Sequence, residues 1–295
     1  MVSDKKIAIV GAGVSGLISI KECLDYGLSP VCFEKSHDIG GLWRYKPTEV
    51  DGEASVMKST VINTSKEMMA FSDFPPPEHF PNFMHNSKVL EYFRMYAAHF
   101  NLLPYIRFET EIVQIRRSSD YETTGKWDVE YKDSLNPGGT TVETFDGVLL
   151  CTGHHAYPHM GEIVGLSRFQ GEVLHSHAYK EPSGYEDKVV VVVGMGNSGG
   201  DIAVELARVA KQVYLVTRRG SWVLNRVGDY GQPFDMINSR FMNWIQQASP
   251  ALANTFLEHR MNARFDHAMY GLKPAHRALE QHPFVNDDMP NRIQS

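Results

Sequence analysis

Two stretches of this sequence place glycines where a polyphosphate could lie against bare backbone. One is Gly11-Ala12-Gly13-Val14-Ser15-Gly16; the other is Gly194-Met195-Gly196-Asn197-Ser198-Gly199, followed by Gly200-Asp201. Both have the spacing G-x-G-x-x-G. In such a turn the first glycine permits the tight bend and the second lets a pyrophosphate approach. The third lets the next helix pack on the preceding strand. That helix then offers unpaired N–H groups and a partial positive charge to the phosphates. Glu34 stands beyond the first turn, at the spacing (about 20 residues) of an acid that binds a ribose hydroxyl. At the matching place beyond the second turn stand Arg218 and Arg219, whose guanidinium forks suit a 2′-phosphate. The pattern predicts an unphosphorylated dinucleotide, FAD or NAD, at the first turn and NADP at the second. Electron transfer from NADPH to FAD is the chemistry such a pair supports.

The elements that must hold these turns are legible around them. Lys5 to Val10 forms an apolar strand before the first turn, and a helix is expected from Val14 to Tyr26, stopped by Gly27. Pro30 to Phe33 is the next strand. Ile39-Gly40-Gly41-Leu42-Trp43-Arg44-Tyr45 sets paired glycines beside an indole, which suits a bulky ring-bearing cofactor or, equally, a surface turn with a packed Trp. Residues 48–81 read as irregular, and a helix is expected from Ser87 to Phe100. From Ile106 the period changes to two. Strands are expected at Ile106 to Arg116, Lys126 to Tyr131, Thr141 to Phe145 and Val148 to Thr152, with Asn136-Pro137-Gly138-Gly139 as a loop. Val189 to Val193 reads as a strand buried on both faces of a parallel sheet. A helix from Asp201 to Ala210 and a strand from Gln212 to Val216 should follow. The fold class is therefore α/β: two Rossmann-like dinucleotide-binding domains with a small β-meander.

Composition narrows the chemistry. The chain has 295 residues, 42% of them hydrophobic, and a net charge of −6, which argues against nucleic acid as a partner. Cys23, Cys32 and Cys151 are far apart. They make neither a redox pair nor a zinc motif and read as free thiols, so a disulfide reductase is disfavoured. His175 and His177 allow a metal-ligand reading but lack a nearby cysteine or carboxylate cluster, so no metal is expected. No apolar run of about 20 residues is present to span a membrane.

Between the two turns, Phe169, Gly171, His175 and Tyr179 fall in the register F-x-G-x-x-x-H-x-x-x-[FY]. This resembles the signature of the flavin-containing monooxygenases. Gly40-Gly41-Leu42-Trp43, the run from Asn63 to Met69, Asn82-Phe83-Met84-His85-Asn86, Thr152-Gly153-His154-His155 and Asn225-Arg226-Val227-Gly228-Asp229-Tyr230 are similar to the animal enzymes of that family. Gly271-Leu272-Lys273-Pro274 and Gln281-His282-Pro283 look most like the type-5 branch.

The resemblance implies FAD on Gly11 to Ser15, with Glu34 on its ribose and Leu42 and Trp43 beside it. It sets Ile62, Asn63 and Thr64 near the isoalloxazine and nicotinamide, with Asn63 as the one side chain assigned to catalysis. It implies NADPH on Ser198 to Asp201, with Arg218 and Arg219 at the 2′-phosphate, and His175 bracing the linker between domains. The implied reaction is N- or S-oxygenation of small soft nucleophiles among xenobiotics, by O₂ and NADPH through a C4a-hydroperoxyflavin. Baeyer–Villiger oxygenation of ketones by the same cofactors is the alternative. Family members are longer and many are anchored in the endoplasmic reticulum membrane by a C-terminal segment. Residues 1–160 are expected to be the FAD domain, 161–219 the first part of the NADP domain, and 220–295 a mostly helical insertion in it. A chain stopping at Ser295 is then expected to lack core strands of both domains, and a nucleotide-binding form without activity is the third reading.

Overall fold

The computed structural model describes residues 4–135, 138–237 and 239–294. The chain divides into two compact units, one formed by residues 1–60 and 85–180, the other by 61–84 and 181–295.

The first unit is built on the turn at Gly11. Strand β1 (Lys6–Val10) leads into helix α1 (Val14–Asp25), and β2 (Ser29–Phe33) returns parallel to β1 with Val10 opposite Phe33. Gly27, at φ +69°, stops the helix just before β2, as its position predicts. After α2 (Asn86–His99), β3 (Ile106–Arg107) adds to β2, and β7 (Gly147–Leu150) pairs with the other side of β1. The order is β3-β2-β1-β7, all parallel. The strand expected from Ile106 to Arg116 is two strands in different sheets. Glu109 at φ +53° turns the chain out of β3 into β4 (Thr110–Arg117). After the one-turn α3 (Tyr121–Thr124), β5 (Trp127–Asp133) and β6 (Thr141–Phe145) complete an antiparallel β4-β5-β6 meander. Of the loop expected at 136–139, Asn136 and Pro137 lie outside the described residues. The meander packs on the parallel sheet through Ala8, Phe33, Val129 and Phe145, with the Phe33 and Phe145 rings edge to face at 5.9 Å.

The second unit repeats the opening motif. Strand β8 (Val189–Val193) runs into α4 (Asn197–Leu206), and β9 (Gln212–Val216) returns parallel to β8. Helix α4 starts before the expected Asp201, so Gly199 and Gly200 lie inside it. Close packing overrides glycine's low helix propensity there: a Cβ on Gly199 would overlap the Gly194 carbonyl oxygen, and one on Gly200 would overlap the Phe284 ring. The expectation that the valine run is buried on both faces does not hold. Val192 is buried, whereas Val189, Val191 and Val193 are 60%, 54% and 63% exposed. Among the described residues β8 pairs only with β9, and α4 packs on that pair.

The stretch from 220 onward is not only helical. It contains β10 (Val223–Leu224), α5 (Arg240–Ala248), α6 (Pro250–Arg264), β11 (Phe284–Val285) and α7 (Met289–Gln294), with β10 parallel to β11. Its core joins Val204 of α4 to Val223, Phe265, Leu272, Phe284 and Met289. Among the described residues no helix is long and apolar enough to cross a membrane.

The tightest constraint in the first unit is Gly16, where a Cβ would overlap the Gly11 carbonyl oxygen, a backbone atom that cannot yield without moving the turn. Gly16→Ala is expected to destabilise the fold by about 3 kcal/mol, read as a lowered urea midpoint. An unchanged midpoint would show that the turn relaxes freely.

Candidate functional site

The first turn is hydrogen-bonded through Gly11 and Ala12 to the end of β2 and to the turn at Gly40. Gly11, at φ +98°, donates its N–H to the Phe33 carbonyl at 2.8 Å. Ala12 N–H donates to Glu34 Oε2 at 2.7 Å, and Gly40 N–H donates to the Ala12 carbonyl at 3.1 Å. Glu34 is buried, and its Oε1 accepts from the Ser36 N–H at 3.0 Å and the Ser36 hydroxyl at 2.6 Å. One lone pair of Oε2 remains for a ligand. Glu34 is therefore first a strut between β2 and the turn, a role its spacing in the sequence does not disclose.

Gly13 caps α1 with no side-chain cap, so the first-turn N–H groups of Val14 and Ser15 are open to a ligand. Gly13 faces Gly41: a Cβ on Gly41 would come 3.3 Å from the Gly13 Cα. Two bare backbones thus approach each other with no side chain between them. Gly40, at φ +107°, has no room for a Cβ against Leu90 and starts the short turn that carries Leu42 and Trp43, both half-buried. Gly11 to Gly16, Glu34 and Gly40 to Trp43 are brought together as one site.

Ile62, Asn63 and Thr64 lie in the second unit. Ile62 is buried and donates its N–H to Met84 O, while Thr64 is exposed. Asn63 Oδ1 accepts from Arg226 Nε at 3.0 Å. Arg226 also bonds Asp287 Oδ2 through Nη1 at 3.3 Å, and its N–H donates to Asp287 Oδ1 at 3.1 Å. The fork turns the Asn63 carbonyl toward the arginine and leaves its Nδ2 donors for another partner. Arg226 sits in the Asn225–Tyr230 motif, and only that motif signalled it.

The second turn has the same backbone with fewer internal bonds. Gly194, at φ +104°, donates its N–H to Val216 O, as Gly11 does to Phe33 O. Gly196 caps α4 without a side-chain cap, and a Cβ on Gly194 or Gly196 would meet nothing within 4 Å. Ser198 is exposed in the first helical turn. Asp201 accepts from Asn286 Nδ2 at 2.8 Å, and burial pushes its carboxyl above the usual range. It pins the segment after β11 to α4, a structural role beside the cofactor contact expected of it.

Arg218 and Arg219 are exposed, and among the described residues neither forms an ion pair. They line an open cleft of about 700 Å³ together with Gly220, Lys273, His276 and Gln281. Lys273 lies far along the chain from Arg219, and no spacing or periodicity in the sequence links the two. The link is His267, which is fully buried. Its Nε2 accepts the Val223 N–H at 3.0 Å, and its Nδ1 lies 2.8 Å from Asn262 Oδ1. Its carbonyl accepts the N–H groups of Leu272 and Lys273.

The histidines near the Phe169 to Tyr179 signature have local partners. His177 is buried, with Nδ1 2.6 Å from Glu49 Oε1 and Nε2 2.8 Å from the Glu53 carbonyl. His175 Nδ1 accepts the His177 N–H at 3.1 Å. Cys23 and Cys32 are buried free thiols and Cys151 is a half-buried one.

Burial lowers the pKa of His267 from 6.5 to about 4. Between those values the unfolded chain binds more protons than the folded one, so stability is lost as pH falls from 6.5 toward 4, by at most about 3 kcal/mol. His267→Gln keeps an acceptor and a donor but cannot titrate. Urea midpoints across this window should fall less steeply for the variant, and parallel slopes would exclude His267 as the cause.

The comparisons agree with this geometry. A family model described as "Flavin-binding monooxygenase-like" matches residues 4–295. Flavin-containing monooxygenase 5 of Oryctolagus cuniculus is 54% identical over 99% of this chain and 55% of its own length. The chain thus spans about half the length of the curated relatives it matches. S-allyl-L-cysteine S-oxygenase from Allium sativum superposes with a TM-score of 0.65 at 31% identity, over 73% of this chain and 52% of that one. Cyclohexanone monooxygenase from Rhodococcus sp. Phi1, solved bound to NADP⁺, matches with a TM-score of 0.67 at 17% identity, over 99% of this chain and 64% of that one, a likeness of fold. With paired glycine turns, parallel strands and a family model spanning nearly every residue, this chain belongs to the flavin-binding monooxygenase-like family.

Proposed function

We propose that this chain carries the two nucleotide sites of an NADPH- and O₂-dependent flavoprotein monooxygenase, with FAD on the turn at Gly11 and NADPH on the turn at Gly194. One observation carries the reading: two turns of the same backbone geometry end in opposite charges. Buried Glu34 stands at one, and at the other stand Arg218 and Arg219, without ion-pair partners among the described residues. Residues 1–160 are then the FAD domain, 161–219 the first part of the NADP domain and 220–295 an insertion in it.

The chemistry supplied by bound flavin is acceptance of hydride from NADPH and delivery of one oxygen atom of O₂ to an amine or sulfide, the other leaving as water. The chain's own residues bind and orient. The open N–H groups of Val14 and Ser15 and the bare Gly13 and Gly41 backbone hold the FAD pyrophosphate. The spare Oε2 lone pair of Glu34 accepts a ribose hydroxyl. Asn63, its carbonyl held by Arg226, offers Nδ2 to the flavin–nicotinamide contact. Ser198 and the start of α4 take the NADPH pyrophosphate, and Arg218 and Arg219 take the 2′-phosphate. Small xenobiotic nucleophiles as substrates, and the endoplasmic reticulum as location, are part of the same proposal, supported by the similarity to flavin-containing monooxygenase 5.

The test is the visible spectrum of the purified 295-residue chain with FAD, before and after anaerobic NADPH. A flavin band near about 450 nm that NADPH bleaches is expected. Arg218→Ala should raise the NADPH concentration needed by about tenfold, the loss of one charge-assisted contact, and leave NADH unchanged. Failure to hold FAD, or bleaching by NADH as readily as by NADPH, would defeat the reading.

A further inference from the structure

The loop after His267 lines the cleft that opens beyond β9, and it is anchored to the residues that follow Arg219. Ser221 N–H donates to Leu272 O at 2.9 Å, and Trp222 Nε1 donates to His276 O at 3.0 Å. Leu272 and Lys273 donate their N–H groups to His267 O at 2.9 and 3.0 Å. Leu272 is buried in the second unit's core. Gly220, at φ +68°, lies so close that a Cβ there would overlap the Leu272 carbonyl oxygen and come 3.1 Å from the Lys273 carbonyl carbon. Both ends of the loop are thus tied to the residues that directly follow Arg219, and the backbone that carries Lys273 is fixed.

Lys273 itself is exposed and lines the cleft, and like Arg218 and Arg219 it has no ion-pair partner among the described residues. Three cations on one concave surface repel one another, and an anion between them relieves that repulsion. The cleft starts where β9 ends, the place that Glu34 holds after β2. An anion there sits at a ribose 2′ position. A 2′-phosphate supplies up to two negative charges and three acceptor oxygens: two guanidinium forks and an ammonium lining one cleft match it. We propose that Lys273 is a further specificity-determining residue, binding the 2′-phosphate from across the cleft. Selection of the phosphorylated dinucleotide is then shared between the strand end and the 271–276 loop. The proposal rests on the reading of the second turn as the NADP site.

The test uses the 295-residue chain and two probes, adenosine 2′,5′-bisphosphate and 5′-AMP, with affinities measured by titration calorimetry at several salt concentrations. Lys273→Ala should weaken the bisphosphate about tenfold, flatten the salt dependence of its affinity, and leave 5′-AMP binding unchanged. Lys273→Arg should restore most of the loss. Because Lys273 is exposed, the fold should tolerate both changes, and unchanged 5′-AMP binding checks this. Arg218→Ala separates the two levels of argument. If it weakens the bisphosphate while Lys273→Ala does not, Lys273 does not touch the phosphate and the proposal falls alone. If neither variant distinguishes the two probes, the second turn is not an NADP site and both readings fall.

Discussion

Both turns depend on how closely a helix backbone can come to the carbonyl that closes the preceding strand. Gly16 sits against the oxygen of Gly11, and Gly199 against that of Gly194, at separations no Cβ permits. This contact fixes where each helix begins and points its first N–H groups past the end of the strand. The positive φ of Gly11 and Gly194, the capping positions of Gly13 and Gly196, and the parallel return strands all accord with it. A polyphosphate placed there meets a row of donors whose orientation was set by packing, so binding costs little further ordering.

The two sites nevertheless secure their ligand in different ways. Around Gly11 the protein is bonded to itself: Glu34 ties strand to turn, and Gly40 closes on Ala12. The Glu34 carboxylate is a structural member, bonded to Ala12 and Ser36, that keeps a single acceptor in reserve. Around Gly194 the structural work is done at a distance by Asp201, Asn286 and His267, while the cations at the strand end have no ion-pair partner among the described residues. The first site is held in shape before anything binds. The second presents exposed cations with no ion-pair partner among the described residues, a surface that favours an anion.

The elements legible in the sequence were those with a local physical cause. Helix α1, strand β2, strand β9 and the meander strands β5 and β6 lie within a residue or two of where periodicity places them, because glycine, alternation and apolar runs act over a few positions. What was not legible depended on residues far apart. The break of the third strand at Glu109 requires that strand's two halves to join different sheets. The early start of α4 requires Phe284 to cover Gly200. The solvent exposure of Val189, Val191 and Val193 requires knowing what packs on that face, which a run of valines does not carry. At the site, the glycines, Glu34 and the arginine pair were visible as motifs. The partners that orient them, Arg226 for Asn63 and His267 for the cleft, carry no motif that states their role.

The central strand of the first sheet also governs the order in which the molecule can form. Strand β1 is paired on one side with β2, close along the chain, and on the other with β7, with Ile7 opposite Gly147 and Val10 opposite Leu150. The backbone beyond β7 also closes over the turn itself: a Cβ on Gly11 would stand 2.6 Å from the Cys151 carbonyl oxygen. During synthesis the β1–α1–β2 unit can gather as soon as it emerges, but its second flank arrives only after the meander has been made. Loop closure over that span is entropically expensive, and pairings of such high contact order are made slowly. The glycine turn at Gly11 therefore emerges well ahead of the strand that completes it, and is among the last parts of its sheet to be finished.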